Sequence, residues 1–247
     1  MKILAIDTSA VVASCALCED ETSIAVYSQK AGLNHSQTML PMVKNLKDNT
    51  STSINDIDML AVSAGPGSFT GIRIGIATIK GLAFGKSKIC IGVSTLEAMA
   101  RTIGTFATDA VICPVMDARR NQLYNAIFEI HGDKLIRLTE DRLIDAHELA
   151  RELDAMDKPV YFVGDGYDLI SKMNLPFQRQ TPPDYRWQNA YGVAQTARAM
   201  FENAEDKSIF TDKLLRPEYL RAPQAEREAA EREAASGQRP QEIARLS

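Results

Sequence analysis

The sequence has no excess of positive charge. Its 247 residues include 28 basic and 32 acidic side chains, which give a formal net charge of −4 at pH 7. Because contact with a phosphate backbone needs clustered lysine and arginine, we do not expect this chain to bind nucleic acid over a broad surface by itself. The apolar content of 45% is typical of a globular protein with a buried core, which excludes the disordered and fibrous classes.

A long apolar run is also missing from the beginning of the chain. The acidic residue Asp7 follows only four consecutive apolar residues, at positions 3–6. This run is too short for the core of a signal peptide and for a membrane span. We therefore expect a cytoplasmic protein that does not associate with membranes.

Cysteine is scarce, and only two of the four cysteines, Cys15 and Cys18, are close in sequence. They lie in an alternating, strand-like stretch, where positions three apart point to opposite faces of a sheet. We predict packed core thiols here instead of a metal or redox pair. Cys90 and Cys113 lie in other apolar strand candidates and are interpreted in the same way.

Residues that commonly bind metals or act as nucleophiles are equally few. A pair of histidines four residues apart on a helix often binds a metal, but His35 is followed at that spacing by Met39. A thioether is a poor ligand for hard or borderline divalent ions. We predict no metal site and a capping or packing role for His35. The G-x-S-x-G motif of serine hydrolases is absent as well.

Hydrophobic periodicity predicts one order of elements twice: three strands, a helix, a strand and a helix. The predicted strands are 3–6, 12–18, 23–27, 59–63, 89–93, 110–116, 122–130, 134–138 and 160–163. The predicted helices are 36–47 with Ser36 as a cap, about 70–84, 95–103, 146–155 and 190–201.

This repeated order predicts an α/β chain with two similar lobes. Three strands with short links are antiparallel, whereas strand–helix–strand steps return in parallel, so each lobe should hold a mixed sheet covered by helices. We place the lobes at residues 1–107 and 108–223. Residues 224–247 lack large apolar residues over their charged part, which predicts a solvated helical or disordered tail, with partner binding as the alternative.

Each half has an acidic residue at the end of its first strand, Asp7 and Asp117. The two carboxylates could meet across a cleft between the lobes, where they would hold a metal-bound nucleotide or act as acid and base. The alternative is that each carboxylate only caps the turn that follows its strand.

A glycine-rich turn, Gly-Pro-Gly-Ser-Phe-Thr-Gly at 65–71, separates a strand from a helix. Backbone amides at a helix start can bind phosphate, so Gly67 joins Asp7 and Asp117 as a weak candidate for binding a nucleotide. The spacing matches neither the dinucleotide fingerprint nor a Walker loop. A structural turn capped by Ser68 or Thr70 is the alternative.

The helix after this turn carries small residues at positions 71, 75, 78, 81 and 85. An interior glycine costs about 0.5–1 kcal/mol relative to alanine, so we expect the row to admit a close neighbour. The neighbour could be helix 36–47 or a helix of a second subunit.

Five stretches of the chain together resemble the TsaB family, formerly called YeaZ. They are Ile-Leu-Ala-Ile-Asp-Thr-Ser at 3–9, His-Ser-Gln-Thr-Met-Leu-Pro at 35–41, Ser-Ala-Gly-Pro-Gly-Ser-Phe-Thr-Gly-Ile-Arg-Ile-Gly at 63–75, Asp-Ala-Arg-Arg at 117–120 with Gln122 and Tyr124, and Pro-Glu-Tyr-Leu-Arg at 217–221. The resemblance implies a duplicated ribonuclease-H-like, actin-like (ASKHA) fold. It also implies an accessory subunit, without catalytic residues or a cofactor of its own, in the machinery that makes threonylcarbamoyladenosine in tRNA.

The resemblance further implies the partners. TsaD, the catalytic relative with a metal-binding histidine pair, transfers the threonylcarbamoyl group to the adenosine beside the anticodon. A second copy replaces TsaD when TsaD is absent, the ATPase TsaE joins the assembly, ATP or ADP could be bound in the complex, and tRNA is contacted only through the complex.

In the family the first two helices form the pairing surface. The corresponding helices here, 36–47 and 70–84, supply eight predicted interface residues: Met39, Leu40, Val43, Gly71, Ile74, Gly75, Thr78 and Leu82. On this basis Gly75→Arg should leave the monomer folded and abolish TsaD binding. The alternative function is an enzyme, a nucleotide-dependent transferase or a peptidase-like hydrolase, that acts through the cleft between Asp7 and Asp117.

Overall fold

The computed structural model describes residues 1–32, 34–104, 109–132 and 134–221. The predicted lobe boundary at 107/108 and the predicted tail at 224–247 lie outside these residues. The exact division into lobes and the nature of the tail therefore stay predictions.

The first sheet is mixed and has five strands: β1 (Lys2–Asp7), β2 (Ala13–Glu19), β3 (Thr22–Gln29), β4 (Met59–Gly65) and β5 (Ile89–Ser94). Their order is β3-β2-β1-β4-β5. β1 pairs antiparallel with β2, and β2 with β3, because short links join them. β4 runs parallel to both β1 and β5, since helices connect these strands.

The second sheet repeats this plan with shorter strands. These are β6 (Val111–Asp117), β7 (Gln122–Asn125), β8 (Phe128–His131), β9 (Lys134–Arg137), β10 (Arg142–Asp145), β11 (Val160–Val163) and β12 (Gln178–Arg179). β6 has antiparallel partners on one side, β7 and β8, and the parallel strand β11 on the other. The predicted fold class, a duplicated actin-like α/β fold with two mixed sheets, is confirmed.

The single strand predicted at 122–130 is wrong, because two strands occupy this stretch. β7 pairs with the end of β6 and β8 with its beginning. Between these pairings β6 contains Pro114, which has no N–H to donate to a neighbouring strand. The buried side chain of Asn125 donates instead to the Pro114 and Ala126 carbonyl oxygens, at 3.1 and 3.0 Å.

Six α-helices lie among the described residues: α1 (His35–Asn49), α2 (Phe69–Ala83), α3 (Thr95–Ile103), α4 (Ala146–Asp154), α5 (Tyr167–Ser171) and α6 (Ala190–Asn203). Short 3-10 helices add Ile54–Asp56, Pro183–Tyr185 and Lys207–Ile209. The predicted Ser36 cap of α1 is wrong: the Asn34 side chain caps the helix by accepting from Ser36 N. No helix in the described ranges is long and apolar enough to cross a bilayer.

Helices cover both faces of the first sheet. α1 and α2 bury apolar side chains such as Leu46 and Ile79 against one face. α6 covers the other face with Val193 and its small neighbours Ala194 and Ala197. α6 lies in the second half of the sequence, so the chain returns to complete the core of the first sheet.

The cysteines are packed core thiols, as predicted. Cys15 and Cys18 belong to the cores on opposite faces of the first sheet. Burial raises the pKa of the Cys15 thiol to about 12 and that of Cys18 to about 11. Thiols with raised pKa hold little reactive thiolate at neutral pH, which agrees with a structural role.

Candidate functional site

A cavity of about 450 Å³ lies where the ends of β1 and β6 face each other. Four segments supply most of its lining: the turn after β1, the glycine-rich turn before α2, the end of β6 with the turn after it, and the segment 218–221; Tyr124 and Asp165 complete it. Four of the five sequence stretches that resemble the TsaB family thus reach or adjoin this cleft.

Asp7 does not face the cleft. Its carboxylate is fully buried and accepts hydrogen bonds from Ser9 N at 2.9 Å, Ser9 Oγ at 2.6 Å and Ser63 Oγ at 2.8 Å. Burial raises the pKa of Asp7, while these three hydrogen bonds act against that increase. In this structure the Asp7 carboxylate is not among the residues that line the cleft, and it caps the turn after β1, as the alternative interpretation expects.

Asp117 does line the cavity. It also caps its turn, because Oδ1 accepts from Arg119 N at 2.8 Å. Its neighbour in the cleft is Asp165, whose Oδ1 accepts from Asp117 N at 3.3 Å. Burial raises the pKa of Asp165; the hydrogen bond from Asp117 N acts against this increase, and the negative charge of Asp117 adds to it. The carboxylates that meet in the cleft are therefore Asp117 and Asp165.

Sequence reasoning missed Asp165. A local signal was available, because Asp165 stands between Gly164 and Gly166 directly after the buried strand β11. An acidic residue in such a turn at the carboxyl end of a parallel strand commonly belongs to a site.

The glycine-rich turn uses part of its hydrogen-bonding capacity within the chain. Ser68 N donates to Ser9 O at 2.6 Å, and the Ser68 side chain accepts from Gly71 N at 3.3 Å. The predicted Ser68 cap of α2 is confirmed. Gly67 lines the cavity, but fewer backbone amides remain there for a phosphate than the sequence pattern suggests.

The segment 217–221, which we call the closing segment, connects the two halves across the cleft. Glu218 N donates to Ala64 O at 2.8 Å, and Tyr219 stacks on Phe69 with ring centroids 4.8 Å apart. Arg221 donates to Ala118 O at 3.0 Å and to Gln122 Oε1 at 2.8 Å. The start of α2 is thereby joined to the turn after β6.

Two of the small residues of α2 that were expected to admit another helix, Gly71 and Gly75, admit the turn after β1 instead. A Cβ atom on Gly71 would overlap Thr8 O, and one on Gly75 would lie 2.6 Å from Thr8 Oγ1. Thr8 Oγ1 donates to Gly71 O at 2.7 Å. These contacts argue against the expectation that Gly75→Arg leaves the monomer folded, because an arginine at this position would have to displace Thr8 or Val62.

The structure divides the predicted interface residues into buried and accessible ones. Met39 and Val43 are only 1% and 2% exposed, and Gly71 and Gly75 are buried. Met39, Gly71 and Gly75 therefore offer little surface to a partner, whereas Val43, although buried, lies at the floor of a groove between the two helices. Four of the predicted residues remain at the surface, namely Leu40, Ile74, Thr78 and Leu82.

Leu40 and Leu82 flank an apolar groove of about 480 Å³ between α1 and α2, whose lining also includes Lys44 and Lys47. Leu40 is 53% exposed, and Phe84, directly after α2, is 82% exposed. We call this region the α1–α2 surface; it comprises Leu40, Pro41, Lys44, Lys47, Ile74, Thr78, Leu82 and Phe84. Exposed apolar groups of this size beside a groove are typical of binding surfaces.

The His35 ring forms a hydrogen bond through Nε2 with Ala10 O at 2.6 Å, which connects the start of α1 to the turn after β1. Within the ranges that the structure describes, no three His, Cys, Asp or Glu side chains are grouped so that they could hold a metal ion.

Comparison of the chain with known proteins identifies its family. Residues 21–229 match the family model described as TsaD: tRNA N6-adenosine threonylcarbamoyltransferase. The tRNA threonylcarbamoyladenosine biosynthesis protein TsaB of Bacillus subtilis (strain 168) is 34% identical over 173 residues, which cover 70% of this chain and 75% of that protein. The protein of the same name from Escherichia coli (strain K12) is 36% identical over 62% of this chain and 68% of its own length.

The chain belongs to the TsaB family. It therefore also belongs to the wider family that the TsaD model describes. A solved structure supports the fold: YeaZ from Pseudomonas aeruginosa superposes with a TM-score of 0.71 at 23% identity, over 89% of this chain and 99% of that one. In this TsaB-family chain the position four residues after His35 holds Met39, whose side chain packs in the core.

Proposed function

We propose that this TsaB-family chain is a non-catalytic subunit that binds and activates TsaD. Membership of the family supports a role in tRNA threonylcarbamoyladenosine biosynthesis, because the matched relatives are named for that pathway. The observation that carries the proposal of pairing is the α1–α2 surface, where the exposed Leu40 lines an apolar groove together with Pro41 and Leu82.

The polar groups around the cleft argue against turnover by this chain. Asp7 is enclosed by three hydrogen bonds, and Asp117 holds the backbone of its own turn. The enzymatic alternative required Asp7 in the cleft as an acid, a base or a nucleotide ligand. Because Asp7 is buried, the enzymatic alternative keeps only Asp117 of the two carboxylates on which it was based.

TsaD is the proposed occupant of the α1–α2 surface because the two proteins share a family model. Chains with a common fold can present corresponding helices to each other about an approximate twofold axis, as identical chains do in a symmetric dimer. The same surface would support a homodimer when TsaD is absent. Four further points stay predictions: TsaE as a further partner, contact with tRNA only through the complex, ATP or ADP bound in the complex, and a cytoplasmic location.

Leu40→Arg tests the pairing. The variant places a charge among apolar contacts, so we expect binding to TsaD from the same organism to weaken by about tenfold or more. Met200→Arg is the matched control, because Met200 is also an exposed helical residue but lies on α6, across the first sheet from α1. Affinity is measured by calorimetry with purified proteins.

Activation is measured as tRNA modification by TsaD, TsaE and the adenylate-forming enzyme with each variant added. Parent protein and Met200→Arg should restore modification, and Leu40→Arg should not. An intact complex with Leu40→Arg would contradict the assignment of the surface. ATP hydrolysis or tRNA modification by the chain alone, abolished by Asp117→Asn, would support the enzymatic alternative.

A further inference from the structure

The helices of the α1–α2 surface carry more positive charge than the chain as a whole. Helices α1 and α2 together contain one carboxylate, Asp48, and four basic side chains: Lys44, Lys47, Arg73 and Lys80. Their net charge is therefore +3, whereas the formal charge of the whole chain is −4. Among the other α-helices that the structure describes, none has a net positive charge.

Two of these charges lie at the groove itself. Lys44 and Lys47 line it together with Leu40 and Leu82. Lys44 forms an ion pair with Asp48 at 2.6 Å, but both side chains are exposed, and such a pair contributes little to stability. The position of Lys47 in the last turn of α1 suits the helix dipole, whereas the position of Lys44 beside the groove has no such explanation.

We propose that the partner at the α1–α2 surface is a chain that presents carboxylates around its own apolar contact, and that this charge pattern favours a related partner over a second copy. The inference rests on the proposed pairing with TsaD and adds the chemistry by which the partner is chosen. An apolar side chain of the partner enters the groove, and Asp or Glu side chains of the partner face Lys44 and Lys47.

Self-pairing through the same surface brings like charges together. In a twofold dimer the same patch of both copies meets, so two surfaces that each carry Lys44 and Lys47 face each other. Their repulsion weakens the homodimer, whereas an acidic rim on a partner attracts the same lysines and increases the association rate. Salt screens both interactions, because the screening length falls from about 10 Å at 0.1 M to about 3 Å at 1 M.

The test is the salt dependence of two equilibria. From roughly 50 to 500 mM NaCl, we expect the Kd of the complex with TsaD to rise by about tenfold. Over the same range the homodimer, measured by analytical ultracentrifugation, should become tighter. Charge reversal with Lys44→Glu and Lys47→Glu should weaken the TsaD complex at low salt and remove most of its salt dependence.

Lys134→Glu with Lys172→Glu is the matched control, since it changes the net charge equally at exposed lysines of the second half. This control should bind TsaD as the parent does. A complex that forms with the same affinity at both salt concentrations would overturn the charge inference and leave the proposed function intact. If TsaD does not bind at either concentration, the proposed function fails. The parent salt series remains decisive even if the reversed variant does not fold.

Discussion

At the scale of single residues, the glycines of α2 have two different roles. Gly71 and Gly75 lie under the turn after β1, where Thr8 leaves no room for a side chain. Gly81 faces open space, since a Cβ atom built there meets nothing within 4 Å. The two kinds of glycine look alike in the sequence, and the tertiary contacts of Gly71 and Gly75, chiefly with Thr8, distinguish them.

Alanine substitutions at Gly75 and Gly81 should therefore have opposite effects on stability. Gly75→Ala forces a methyl group against Thr8 and Val62, and overpacking of this kind costs about 1–3 kcal/mol. Gly81→Ala gains helix propensity without a clash, and should stabilise the isolated chain by about 0.5–1 kcal/mol. Thermal unfolding of both variants measures the difference, and shifts of equal sign would contradict it.

At the scale of elements, the closing segment holds two structures together that are far apart in sequence. Tyr219 accepts a hydrogen bond from Arg73 Nε on α2 at 2.9 Å, while Arg221 binds the turn after β6. α2, which contributes Leu82 to the proposed TsaD-binding surface, is thus connected to the wall of the cleft.

Arg221→Ala should loosen the turn at 118–122. Loss of its two hydrogen bonds leaves Ala118 O and Gln122 without these donors, at a cost of about 1–3 kcal/mol. We expect faster amide hydrogen exchange in peptides that cover this turn, measured by mass spectrometry. Arg216→Ala, at an exposed arginine just before the closing segment, serves as the control. Equal exchange in the two variants would exclude the proposed connection.

The elements that the sequence predicts best are those whose own pattern is strong. The predicted strand at 160–163 coincides with β11, and the predicted helix at 95–103 coincides with α3. The two-residue strand β12 and the strand β10 have no clear pattern, because β10 exists through its pairing with β7. The break between β7 and β8 lies opposite Pro114, which belongs to a different strand, β6. The sequence of residues 122–130 by itself therefore could not indicate this break.

The candidate site was predictable to a smaller extent than the fold. The sequence identified the segments that line the cleft. It did not indicate that α2 is oriented with Gly75 facing the interior, or that the Asp7 side chain is buried instead of facing the cleft. Both properties arise when distant segments pack together, and single-sequence patterns do not contain that information.

At the scale of the whole molecule, the two halves should unfold together. α6 packs on the first sheet, the closing segment spans the cleft, and Lys30 Nζ lies 3.5 Å from the ring centroid of Trp187. Trp187 is the single tryptophan, so its fluorescence reports the contact between the halves. In urea, fluorescence and far-ultraviolet circular dichroism should give the same midpoint. Two separate midpoints would show that the halves are independent.

The return of α6 also has a consequence for biosynthesis. When only the first five strands have left the ribosome, one hydrophobic face of their sheet is still exposed to water. The helix that covers this face, at 190–203, is not yet translated. Such an intermediate is prone to aggregate until the rest of the chain has been translated. During translation, therefore, this chain should depend on chaperones for roughly the time needed to add a hundred amino acids, about 5–20 seconds at an elongation rate of about 5–20 residues per second.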